Sequence, residues 1–163
     1  MKLIKLGFGP HILRAPKGFI KARRSLGVFV DPVTFEQIGH PDYKAIGKLI
    51  KQKGGAVVIP HRHDLKDFLR DRGIIPTVAN LKKLEGAVLK HEKVHWERHK
   101  KGVEFGKSGP FGVFRTAHEE FLAHLAGLHK AKPGLKYPHA LAGTLEALKR
   151  VYPDGIGQAF FRA

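Results

Sequence analysis

The chain has 163 residues, one domain's worth, and 42% of them are hydrophobic, enough to bury a core. It holds no cysteine, which excludes disulfides and thiolate metal sites, so any metal must be held by Asp, Glu or one of 11 histidines. A net charge of +16 points to an anionic partner, a nucleic acid or another polyanion.

Residues 1–24 are basic and punctuated by Gly and Pro, and residues 1–30 carry seven Lys or Arg and no acid. They read as a basic N-terminal arm of irregular chain or short strands, preceding a single domain over 25–163. Residues 26–38 (LGVFVDPVTFEQI) predict a β-hairpin, with β-branched and aromatic residues either side of an Asp31-Pro32 turn. A helix is expected from His40-Pro41-Asp42 to about Lys53, with Ala45, Ile46, Leu49 and Ile50 on one face, stopped by Gly54-Gly55. Residues 56–60 (AVVIP) predict a short buried strand. Asp64 is the expected N-cap of a helix carrying Leu65, Phe68 and Leu69 and closed by Gly73.

Asn80 is the expected cap of the next helix, over 81–101, with Leu81, Leu84, Val88, Val94 and Trp96 along it. A Gly-rich loop over 102–112 follows. A further helix is predicted from Phe114 to His129, broken by Pro133-Gly134, and a last helix over 138–150 precedes a Pro/Gly-rich tail. No stretch approaches the roughly 18 apolar residues of a membrane-spanning helix, and no apolar leader forms near Met1. The expected location is therefore cytoplasmic or virion-associated.

The residues that carry chemistry are His91-Glu92-Lys93-Val94-His95, an H-E-x-x-H motif inside the predicted 81–101 helix. Residues four apart share a helix face, so two imidazoles can reach one Zn²⁺ at about 2.0–2.1 Å. The intervening Glu92 is placed to act as general base on a water. A catalytic zinc takes three protein ligands and keeps one open position. The following helix offers His118, Glu119 and Glu120 as the third, with Glu120 ranked first, at the rim of the apolar face marked by Phe114, Ala117 and Phe121. His99 drifts about 40° per step from His91 and His95 and is poorly aimed at the same ion. His124, one turn beyond Glu120, is either a group orienting that carboxylate or a plain surface residue. His61-Arg62-His63 reads as a weak candidate for a second metal, and Trp96 as a core residue packing on the second helix.

H-E-x-x-H followed on the next helix by E-x-x-A resembles the gluzincin class of zinc peptidases. Arg115-Thr116 with Glu120-Phe121-Leu122-Ala123 is similar to the second helix of the anthrax lethal factor catalytic domain. The resemblance covers about residues 88–126. It implies Glu120 as the third ligand beside His91 and His95, Glu92 as the catalytic carboxylate and Ala123 as the small residue that lets the helices approach. Where that family places a tyrosine seven residues before the ligand glutamate, this chain has Val113, so Tyr137 or a histidine would have to replace it. The combined expectation is an α+β, zincin-like domain, its short sheet packed on the H-E-x-x-H helix and a second ligand-bearing helix. It would hydrolyse peptide bonds of a protein or peptide substrate, with an edge strand, expected at Ala56–Ile59, binding substrate backbone. The alternative is a basic nucleic-acid-associated or virion structural protein in which a metal only cross-links two helices. A module that binds DNA or RNA without metal is the third reading.

Overall fold

A computed structural model describes residues 2–5, 9–19, 26–33 and 43–162. The chain divides into two compact units, residues 1–96 and 97–163.

The first unit is built on a four-stranded sheet of β1 (Lys2–Lys5), β2 (His11–Arg14), β3 (Val28–Val30) and β4 (Ala56–Ile59), in the order β1-β2-β4-β3. β2 and β4 are parallel, whereas β1 on β2 and β3 on β4 are antiparallel. The composition of β4 explains its central place. Ala56, Val57, Val58 and Ile59 are all buried, as expected of a strand covered on both faces. Its side chains alternate. Ala56 and Val58 join Leu13, Val30 and Ile50 in a core lying against α1 (Tyr43–Lys53). Val57 and Ile59 join Val88, Leu84 and Leu89 on the opposite face, against α3 (Val78–Lys100). The sheet is thus sandwiched between α1 and the helix that carries the H-E-x-x-H motif.

Two polar ties fix α3 on this scaffold. Arg14 of β2 donates to both carboxylate oxygens of Glu85, at 2.9 and 3.3 Å, and to the Pro60 carbonyl at 3.0 Å. The Trp96 indole donates to the Lys53 carbonyl at 2.7 Å, joining α3 to the last residue of α1. Trp96 is buried and bonded within the first unit, where the sequence suggested packing on the second helix.

The expected basic arm 1–24 contributes β1 and β2 to the sheet. The expected hairpin over 26–38 supplies one described strand, β3, which pairs with β4; Pro32 and Val33 are helical, and 34–38 lie outside the described residues, as does the expected helix start at 40–42. The strand expected to stand at the edge, Ala56–Ile59, lies between β2 and β3. Among the described residues β3 is the edge strand on that side. Helix α2 (Arg62–Arg70) starts two residues before the expected cap. His61 caps it, its Nδ1 accepting from the His63 amide at 3.1 Å, and Asp64 instead accepts from the Gly18 amide at 2.9 Å.

The second unit contains the end of α3, then α4 (Pro110–Gly127), α5 (Pro133–Val151) and α6 (Ile156–Phe161). Pro110 and Pro133 each open a helix, where a missing N–H costs nothing. Reading Pro133-Gly134 only as a breaker therefore shortened α5 by about a turn, and α6 falls in what the sequence presented as a tail. Val113, Leu148, Tyr152 and Ala159 form the core of this unit. The Tyr152 hydroxyl donates to the Lys107 carbonyl at 2.7 Å and lies 3.0 Å from Thr116 Oγ1, which accepts from the Gly106 amide. These bonds pin the Gly-rich loop onto α4.

Candidate metal centre

On α3 the buried residues are Val88, Glu92, His95 and Trp96. Their spacing of four, three and one is the inward stripe of a helix packed on a sheet. Glu92 and His95 occupy positions that the stripe would otherwise give to apolar side chains. A carboxylate taken out of water costs several kcal/mol unless it is compensated, so a buried Glu92 needs a compensating interaction.

His91 and His95 lie one turn apart with their Nε2 atoms 3.3 Å from each other and their ring centroids 5.1 Å apart. Two ligands each about 2.0–2.1 Å from one tetrahedral zinc stand about 3.3–3.4 Å apart. The pair is already at that separation, which is longer than the usual 2.7–3.2 Å range of about 2.9 Å hydrogen bonds. Glu92 Oε1 is 3.9 Å from His91 Nε2, outside a ligand–ligand edge and within the reach of a group serving a water. The Glu92 side chain lies against Gly27, the residue just before β3: a Cβ built at Gly27 would stand 2.5 Å from Val88 Cγ1, 2.9 Å from Glu92 Cγ and 3.0 Å from Glu92 Oε1. Gly27 is thus the gap through which edge strand β3 approaches the carboxylate.

On α4 the buried polar residues are Thr116, Glu119 and Glu120, while His118 is exposed. Glu120 Oε2 and His124 Nε2 are 3.5 Å apart, again long for a charge-assisted bond of about 2.7–2.9 Å and close to a zinc ligand edge. The His124 ring is seated on Gly143 of α5, where an added Cβ would stand 2.6 Å from Nδ1 and Cε1. His91, Glu120 and His124 make up a His/Glu/His group able to hold a metal ion.

Two of the three expected ligands, His91 and Glu120, therefore belong to this group, and His124 takes the place in it that the sequence gave to His95. His95 is instead paired with His91 on its own helix. The signal for His124 was present, a histidine one turn after a glutamate, but nothing in the sequence showed that Gly143 makes room for its ring. Glu119, ranked behind Glu120 as the third ligand, is as buried as Glu120. His99 is exposed. His63 pairs with Asp67 at 3.3 Å and His61 caps α2, so the described contacts of His61-Arg62-His63 are structural. Val113 is core, and the Tyr152 hydroxyl is committed to the Gly-rich loop. Tyr137 is exposed and stacked on Phe121. Among the described residues no helix is long and apolar enough to cross a membrane.

The donors are imidazole and carboxylate with no thiolate, a set able to hold a metal ion. No protein-family model matches the chain, and no match is found among curated proteins or among solved structures.

Proposed function

We propose that the protein is a zinc-dependent peptide-bond hydrolase of gluzincin type, with the metal held by His91, His95 and Glu120. The observation that carries this reading is the place of Glu92. It is a buried carboxylate 3.9 Å from His91 Nε2, packed against Gly27 just before β3. Hydrolysis needs a base at that point, and a carboxylate there can serve as one.

Zinc, when bound, supplies Lewis acidity and lowers the pKa of a water toward about 7. Glu92 takes one proton from the attacking water as its oxygen bonds to the scissile carbonyl carbon. The same carboxyl then gives that proton to the amine nitrogen as the C–N bond breaks. His91 and His95 hold their rings on one face of α3, whose position is set by the Arg14–Glu85 bonds and the Trp96 indole. Of the sheet's strands, β3 is the one whose leading residue, Gly27, packs on Glu92, whereas Ala56–Ile59 lies inside the sheet.

The test is Glu92→Gln. The variant should keep its zinc, measured by elemental analysis of protein prepared without an affinity resin, and lose all hydrolysis of an unstructured protein substrate. Release of the metal by Glu92→Gln would show that Glu92 is a ligand and end this assignment.

A further inference from the structure

We propose that the second unit carries a platform for single-stranded nucleic acid, on which bases stack against Phe111, Phe114 and Phe161 while Lys107, Arg115 and Arg162 meet the phosphates. The inference stands apart from the metal and its chemistry, and every residue in it belongs to the unit 97–163.

Helix α4 buries Val113, Thr116, Glu119, Glu120 and Ala123. The stripe it turns outward, at spacings of three, one and three, is Phe111, Phe114, Arg115 and His118, all exposed. Phe111 is 83% exposed and Phe114 64%. Helix α6 adds to the same surface. The Gly109 amide donates to the Ala159 carbonyl at 2.7 Å, which ties the start of α4 to α6. Phe160 packs on the core of Val113, Leu148 and Tyr152, and two rings are set edge to face on it. Phe114 lies at 5.8 Å and 76°, and Phe161 at 5.3 Å and 78°. Phe161 is 85% exposed. Three phenylalanines held outward together form the kind of apolar patch that serves recognition.

The charges around the rings select the occupant. Lys107 and Arg162 flank the first turn of α4: a Cβ built at Gly112 would stand 2.9 Å from Lys107 Cβ, and one at Gly109 would stand 3.3 Å from the Arg162 carbonyl oxygen. Arg115 follows Phe114 on the stripe. Arg162 is paired with Asp154 at 3.7 Å, on an exposed and therefore exchangeable contact. The chain as a whole carries +16. Flat apolar rings interleaved with cations match the alternation of base and phosphate along a single strand. A duplex hides its base faces in its own stack. A bilayer interface enriches Trp and Tyr, and this patch is built from phenylalanine.

The test measures binding of the full chain to an oligothymidylate of about 12 nucleotides, to an abasic strand of the same length, and to phosphatidylserine vesicles. Wild type should bind the thymidylate at least about 5-fold more tightly than the abasic strand. Phe111→Ala and Phe161→Ala should each weaken thymidylate binding by about 5-fold or more. The slope of log K on log salt should stay unchanged in both, because a stacked ring releases no counterion. Arg115→Gln should instead reduce that slope by about 0.7. Equal wild-type affinity for the thymidylate and abasic strands, a comparison that needs no variant to fold, would overturn the proposal. So would Phe111→Ala and Phe161→Ala proteins that bind the strand as wild type does; if the same variants lose vesicle binding, the patch belongs to a membrane surface instead.

Discussion

Gly27 and Gly86 both adjoin or lie on α3, and replacing each with alanine should have opposite effects. At Gly27 the new methyl would meet Val88 Cγ1 at 2.5 Å and Glu92 Cγ at 2.9 Å. Ordinary carbon contacts are about 3.5 Å or longer, so β3 and α3 must part by up to about 1 Å or the Glu92 side chain must turn. Overpacking of this size costs about 1–3 kcal/mol. For a chain of this length that lowers Tm by about 2–12 °C. At Gly86, in the middle of α3, an added Cβ has nothing within 4 Å. Alanine there removes backbone freedom from the unfolded chain and should stabilise by about 0.4–1 kcal/mol. Thermal unfolding followed by circular dichroism gives both signs, and peptide hydrolysis should fall in Gly27→Ala with zinc content retained. Gly27→Ala with an unchanged Tm and full activity would refute the close packing of the β3 entrance on Glu92.

Arg14→Ala should cost about 1–3 kcal/mol in urea unfolding, because it strips Glu85 and the Pro60 carbonyl of their donor together. Tyr152→Phe should cost about 1–2 kcal/mol and raise proteolysis in the 102–109 loop, read by limited digestion and mass spectrometry. Saturating zinc at about 100 times its Kd should stabilise by about 2.7 kcal/mol, so a chelator should lower Tm by about 5–11 °C. His91→Ala should abolish that difference. Binding of duplex DNA or heparin at low ionic strength should weaken steeply between about 50 and 200 mM salt; binding that is indifferent to salt would remove the electrostatic reading of the +16 charge.

Much of this was legible where a pattern is local. The all-apolar run of 56–59 and the apolar spacing along α3 gave a buried strand and a long helix within a few residues of their observed bounds. H-E-x-x-H marked His91, Glu92 and His95 because i, i+4 geometry belongs to the helix itself. What escaped depends on pairing between distant residues. No periodicity shows that His11–Arg14 of the basic segment lies parallel to Ala56–Ile59, and so places the latter inside the sheet. Proline has two meanings at a helix boundary, and Pro133 opens α5 where it was read as closing α4. Glu119 was ranked behind Glu120, yet both are buried, because helical angles alone do not say how wide the covered face of α4 is.

The non-local pairing of β2 with β4 bears on the order in which the protein forms. The central strands are joined only after more than forty intervening residues have been gathered in, and loop closure of that length is slow relative to helix formation. The i, i+4 pairs on the helices escape this delay. His91 with His95, and Glu120 with His124, are each complete as soon as a single turn of helix exists. Under the proposed function a zinc ion would therefore meet half-sites in a chain whose sheet has yet to close, available to folding before it is available to catalysis.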